Sequence, residues 1–454
     1  MSWRRSTRLI LGGAVCAALS WSGAAGAGEQ DRGSDRITTL PGLGPVAAPQ
    51  YGGYASVDDA ACAGVQCDGP GEAGLYYWFV ATPGATRATP TILWTNGGPG
   101  ATSFWGFFTE NGPYVVRRDG SLREREQAWN ETANYLIFDQ PLGVGLSFAP
   151  DERLPANVQE GVDQWYRALV HFLERHSKVA AGPIFLAGES YGGTYTPLLA
   201  QAILDGNERA GREVVHLGGV IVVSGWVDPV VQQSMDTTFA LSHGIITDAD
   251  KVRIDGLYDE CKAAVEAQTP SSAAANDACG KMKSAIQDIT GLYLLNIAAR
   301  GDPPTKPLVT YLNRRAVRDA VHARRTGTFS MFSEAIGDRY TVGEQDSYRS
   351  QVESLLDEGV PIMVVSGLND ATDVNPLGTA KWLDLLGGDA AAAFRAAPTT
   401  QWKQGTGKAA PVLGYVQDGG TLSWVKVLNA GHLAVGDQPL LIDLIDDQLL
   451  APGG

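Results

Sequence analysis

A serine set between glycines, Gly188-Glu189-Ser190-Tyr191-Gly192, follows the apolar run Pro183-Ile184-Phe185-Leu186-Ala187 and precedes a stretch, 193–201, suited to begin a helix. The pattern G-x-S-x-G between a strand and a helix makes a nucleophile elbow: the glycines allow a turn tight enough to hold the serine oxygen above the sheet edge. A hydroxyl is a weak nucleophile and needs a base held by an acid, which in this setting follow in the chain order Ser, Asp or Glu, His. Of the six histidines, His171 and His176 precede the serine, while His216, His243 and His322 come before the later strands resume. His432 remains, in a loop just after the apolar run 424–428. The acid belongs after the preceding strand, in Gly367-Leu368-Asn369-Asp370, with Asp373 one turn later; Asp370 is preferred because it comes first after the strand. Upstream, Trp94-Thr95-Asn96-Gly97-Gly98-Pro99-Gly100 ends another strand, where a glycine-rich loop can aim backbone N–H groups at a developing oxyanion. It carries no lysine of the phosphate-loop kind, so phosphate binding is not expected.

The elements that must hold these residues are legible as apolar, β-branched and aromatic runs at 74–82, 91–95, 133–139, 183–187, 220–224, 360–366 and 424–428. Helical patterns fall between the middle ones, notably 157–175 and 193–210, and others near 312–322 and 377–386. Alternating strands and helices imply an α/β fold: a mostly parallel central sheet, covered by helices on both faces. The alternation stops near Asp228, and 229–307 reads as an inserted helical cap, with a flexible loop at 269–275. The core is then 28–228 and 308–454.

At 454 residues and 44% apolar content the chain can bury a large core. A net charge of −15 and a pI near 4.9 argue against nucleic acid or an anionic membrane as partner. Residues 1–27 read as a signal peptide: Arg4, Arg5 and Arg8, an apolar stretch 9–21, then Ala25-Gly26-Ala27. The adjacent arginines leave a twin-arginine route open, and Val15 fits poorly before Cys16 as a lipid-attachment site. That predicts a secreted or periplasmic protein without stable membrane insertion, since no segment is apolar for long enough to span a bilayer. Beyond the leader stand Cys62, Cys67, Cys261 and Cys279, and proximity suggests disulfides Cys62–Cys67 and Cys261–Cys279. No histidine lies near either pair, so a zinc site is not expected, nor is any other metal or cofactor. Asn130-Glu131-Thr132 is a glycosylation sequon in form, and no glycan is expected on it.

Together the segments 94–100, Asp139-Gln140-Pro141-Leu142-Gly143-Val144-Gly145-Leu146-Ser147, 188–193 and Gly431-His432 resemble the serine carboxypeptidase family, of α/β-hydrolase fold, in order and in spacing. Weaker similarity covers 75–82, 220–229 and 311–313 with the helix that follows. The resemblance implies a triad of Ser190, Asp370 and His432, and an oxyanion hole from the N–H groups of Gly98 and Tyr191. It also implies that Asn96, Gly97, Glu110 and Glu189, with Trp94 beside them, hold the terminal carboxylate of a peptide substrate. Carboxyls can bind a carboxylate because two glutamates sharing a site raise one another's proton affinity, so that one stays protonated and donates. Best activity in acid follows. The chain departs from the family where Ala101 and Asp373 occupy or neighbour positions commonly held by cysteines, so the family's disulfides do not carry over. An acyltransferase or esterase with the same machinery is the alternative, and a non-catalytic binding protein fits poorly with an intact triad.

Overall fold

The computed structural model describes residues 35–58, 73–372 and 374–450. The expected leader, Cys62, Cys67 and Asp373 lie outside them. The strands are β1 (Arg36–Leu40), β2 (Gly44–Ala55), β3 (Leu75–Val80), β4 (Thr91–Thr95), β5 (Tyr114–Val116), β6 (Leu122–Glu124) and β7 (Asn134–Phe138). They continue with β8 (Ile184–Glu189), β9 (Leu217–Val223), β10 (Ile362–Gly367), β11 (Thr399–Lys403), β12 (Val412–Asp418) and β13 (Leu422–Val427). Eleven of them form one sheet in the order β1-β2-β3-β7-β4-β8-β9-β10-β13-β12-β11, while β5 and β6 pair separately. From β7 to β13 every pairing is parallel; the flanks β1-β2-β3 and β12-β11 are antiparallel. The α/β-hydrolase architecture read from the sequence is the one observed.

The parallel strands, and β3 beside them, are buried on both faces, which is why they read as largely apolar runs. Leu75, Tyr77 and Phe79 of β3 enter one core cluster and Tyr76, Trp78 and Val80 the other. Helices that cover the sheet include α1 (Phe104–Thr109), α2 (Val158–Arg175) and α3 (Gly192–Ala210). The first turn of α2 is capped by the Asn157 side chain, which accepts from the Glu160 N–H; α3 ends at Gly211 in a left-handed conformation.

The segment 229–307 holds α4 (Pro229–Gln233), α5 (Asp236–Ser242), α6 (Asp248–Glu266) and α7 (Ala273–Thr290). It has a small core of its own, Phe239, Ile254, Met282, Ile286 and Leu294, joined by Ala371 from the loop after β10. Cys261 and Cys279 form a disulfide between α6 and α7, with Cα atoms 4.5 Å apart. The loop expected at 269–275 is anchored instead: Ser271 is fully buried and Ser272 caps α7, accepting from the Ala275 N–H. The helix expected near 312–322 is two helices, Lys306–Leu312 and Arg315–Ala320. Asn313 breaks it, because its side chain donates to Val309 and Phe329 carbonyls and accepts from the Phe329 N–H.

Candidate active site

The parallel strands deliver their following loops to one edge of the sheet, where ligands of open α/β sheets bind. Asn96 to Gly98 follow β4, Ser190 follows β8, Asp370 follows β10 and His432 follows β13. Ser190 sits at φ 60°, a left-handed backbone that a side-chain-bearing residue adopts only where its surroundings compel it. Here its N–H donates to Val223 O at 3.1 Å, and its carbonyl accepts from Gly193 N and Trp226 N, both at 2.8 Å. The glycine spacing has a steric cause. A Cβ on Gly188 would lie 2.4 Å from Gly192 O, and one on Gly193 would lie 2.7 Å from Trp226 N.

His432 Nδ1 lies 2.8 Å from Asp370 Oδ2, and both residues are buried, at 6% and 0% exposure. A carboxylate facing Nδ1 requires the proton on that nitrogen, which makes Nε2 the basic one. The two loops are laced together by Leu368 N to Val427 O at 3.0 Å and Asn369 N to Ala430 O at 2.8 Å. They touch so closely that a Cβ on Gly367 would sit 1.9 Å from Gly431 O.

A second clamp escaped sequence reading. The chain leaving the cap, Leu294-Leu295-Asn296-Ile297, bonds both loops: Ala371 N donates to Leu294 O (2.9 Å), His432 N to Leu295 O (2.7 Å) and Ile297 N to Asn369 O (3.0 Å). The Asn296 amide donates to Asp437 Oδ2, which also accepts from Gly431 N. The available signal was the apolar run Leu292-Tyr293-Leu294-Leu295, out of place in a polar cap.

Gly98, Ser190 and Tyr191 line one cleft of about 820 Å³, whose far wall is α7. Gly97 lies against the elbow, since a Cβ there would come within 2.3 Å of Tyr191 N. Behind the glycine loop, the buried Asp139 carboxylate accepts from the Thr102 hydroxyl, Ser103 N and Leu146 N. Burial pushes Asp139 up to about 7 despite those donors.

Asn96 is held in one orientation. Its Oδ1 accepts from Trp94 Nε1 at 3.0 Å and from Gly106 N at 2.9 Å, so the amide nitrogen must face away from them. It donates to Glu189 Oε2 at 2.8 Å and to Glu110 Oε1 at 3.3 Å. Trp94 lies beside Asn96, as expected for its place next to this group: it is fully buried and its one N–H is committed to Asn96. Glu110 and Glu189 are each 2% exposed, and Glu110 Oε2 and Glu189 Oε1 receive no other hydrogen bond from the protein. Two ionised carboxylates about 4 Å apart would repel by roughly 4 kcal/mol even at an effective dielectric near 20. Burial therefore raises the proton affinity of both. Glu189 is pushed furthest, by burial first and then by the Glu110 charge and a hydrogen bond donated to Glu110; that bond and Asn96 partly offset the rise at Glu110.

A hydroxyl on a strained elbow, a buried imidazole–carboxylate pair and a glycine loop against the elbow define an enzyme of the α/β-hydrolase class. The family model for serine carboxypeptidases matches residues 41–444, and the chain belongs to that family of serine-type peptidases. Among its relatives, "Serine carboxypeptidase-like 50" of Arabidopsis thaliana is 30% identical over 90% of this chain and 89% of that protein. "Venom serine carboxypeptidase" of Apis mellifera is 30% identical over 82% of this chain and 80% of its own length. "Pheromone-processing carboxypeptidase KEX1" of Phytophthora infestans is 27% identical over 95% and 74%. The crystal structure of Kex1(delta)p, a prohormone-processing carboxypeptidase from Saccharomyces cerevisiae, superposes with a TM-score of 0.74. It covers 88% of this chain and 90% of that one at 20% identity, a likeness of fold.

Proposed function

We propose that the chain is an exported peptidase that releases residues one at a time from peptide carboxyl ends, working best in acid. Ser190 Oγ attacks the last peptide carbonyl while His432 Nε2 takes its proton, and Asp370 steadies the imidazolium. The N–H groups of Gly98 and Tyr191 receive the oxyanion; the leaving amine takes the proton back from His432, and water hydrolyses the acyl-enzyme by the same route. Gly97 brings the glycine loop against the elbow. The carrying observation is the Asn96 amide, turned by Trp94 Nε1 and Gly106 N onto the two buried glutamates. Protons held on those carboxyls supply donors that turn onto the substrate's terminal carboxylate, while the Asn96 amide keeps both glutamates in place.

The test offers an N-blocked dipeptide with a free carboxylate, the same peptide amidated, and a simple aryl ester, to wild type and Ser190→Ala. Strong preference for the free acid, abolished in Ser190→Ala, is expected. Equal cleavage of acid and amide sinks the carboxylate site, and turnover of the ester alone favours acyl transfer or ester hydrolysis.

A further inference from the structure

The hairpin of β5 and β6 pairs apart from the main sheet, and it closes on the turn that carries Glu110. From that turn the chain enters β5 through Pro113. β6 runs back beside it with Glu124 opposite Tyr114, and Arg125 N then donates to Pro113 O at 2.8 Å. The Arg125 side chain straddles the turn: Nη2 donates to Phe108 O at 2.8 Å and Nε to Gly112 O at 2.9 Å. Phe108 lies in the last turn of α1, where carbonyls lack an intrahelical partner and a cationic donor is favoured. Glu110 sits midway between the two bonded residues. We propose, resting on the carboxypeptidase reading and its carboxylate site, that Arg125 is a positioning residue for the substrate's terminal carboxylate. It holds the Glu110 turn, and its charge sets the pH above which free-acid peptides cease to bind.

Both side-chain bonds go to neutral carbonyls, which orient the guanidinium without cancelling its charge. Glu110 is the acid that acts on it most strongly. Burial pushes Arg125 down to about 10 and the Glu110 charge pulls the other way, so Arg125 is a cation throughout the acid and neutral range. The glutamate pair is asymmetric as a result. Arg125, and His432 when protonated, favour the ionised form of Glu110, while Glu110 and Asp370 disfavour that of Glu189. Tyr135 and Tyr293, held neutral by burial, and Asp302 and Asp437, which line the cavity beside Glu110, add no positive charge. The Glu110 proton is the first lost as pH rises, and a donor that the substrate carboxylate needs goes with it. Removing the Arg125 charge lets Glu110 keep that proton to higher pH, so free-acid peptides should bind better there. An arginine with a structural role alone predicts otherwise, because a looser turn weakens binding at every pH alike.

The experiment measures KM for N-blocked Phe-Leu free acid from pH 4.5 to 8 in wild type, Arg125→Met and Arg125→Lys, with an aryl ester as the control that lacks a carboxylate. The readout is the ratio of KM at pH 7.5 to KM at pH 5, in which any loss common to both values cancels. Methionine removes the charge and both bonds, and the ratio should fall about threefold or more, a rise of roughly half a unit in the pH at which KM turns upward. Lysine keeps the charge and loses the two-pronged contact, so it should keep the wild-type ratio with KM raised about threefold at both pH values. The ester's ratio should be the same in every variant. Arg125→Gln, which retains an N–H donor for the turn, is read in the same way if the methionine variant does not fold. A ratio unchanged or enlarged in the neutral variants, or a lysine variant that behaves as methionine does, overturns the inference and leaves the carboxypeptidase reading intact. A wild-type KM flat over this range overturns the carboxylate site together with the inference. Failure to cleave any free acid, with the ester still turned over, overturns the peptidase reading as well.

Discussion

Replacing Glu189 by glutamine removes one titrating partner from the buried pair and keeps a hydrogen-bond donor in its place. The Asn96 amide, 2.8 Å from Glu189 Oε2, retains an acceptor in the glutamine carbonyl. In the wild type, burial and the Glu110 charge raise the Glu189 carboxyl well above its ordinary value. On the proposed reading the protonated form binds a substrate carboxylate, so affinity should be highest below that raised pKa and lost as pH climbs through it. Each proton taken up on binding costs about 1.4 kcal/mol per pH unit above the pKa, or roughly tenfold in KM. Two units above, KM for a free-acid peptide should have risen on the order of a hundredfold, with the amidated peptide unaffected. Glu189→Gln needs one proton fewer, and the slope of log KM against pH should drop by about one. Steady-state kinetics from pH 4.5 to 8 on both substrates measures this. A wild-type KM flat across that range, or a Glu189→Gln slope that superposes on the wild type, would refute the shared-proton account.

Three other consequences are open to simple tests. In Gly97→Ala the new methyl would press on Tyr191 N at 2.3 Å, so the glycine loop must retreat from the elbow. A loss of kcat of about tenfold or more with little change in folding is expected, measured by active-site titration beside thermal melting. Asp139, raised from 3.8 to about 7, favours the folded state while protonated, so its contribution is whole below pH 4 and falls by about 4 kcal/mol as pH rises to 7. Urea unfolding of wild type and Asp139→Asn at both pH values should show the wild type alone losing stability by that order. Replacing Cys261 and Cys279 by serine opens a loop of separation 18, worth about 3 kcal/mol of unfolded-state entropy. The segment 229–307 should then become sensitive to limited proteolysis, and kcat should fall, because the stretch Leu294 to Ile297 clamps the loops of His432 and Asp370.

What could be read from the chain follows from what each element buries. The strands β4, β7, β8, β9, β10 and β13 lie between two cores and are mostly apolar, so they announced themselves to within a few residues. The loops at their ends carried Ser190, Asp370 and His432 because a parallel sheet sends such loops to one edge. Strands β1, β2, β11 and β12 were not seen: β11 is largely exposed, and β2 is broken in pattern by Pro45, Pro49, Gly52 and Gly53. Trp94 could be placed near the carboxylate group by resemblance, but only its burial and its bond to Asn96 give it the task of orienting that amide. The Leu294 to Ile297 clamp rests on backbone groups, whose partners leave no mark on side-chain type.

The central claim, a serine nucleophile that cuts only at carboxyl ends, is tested most directly by following one peptide of about ten residues by mass spectrometry. Incubated with wild type at pH 5, the free acid should shorten one residue at a time from its carboxyl end, the amidated twin should stay intact, and Ser190→Ala should leave both unchanged. Internal fragments, shortening of the amidated peptide at the same rate, or a ladder that persists in Ser190→Ala would contradict it.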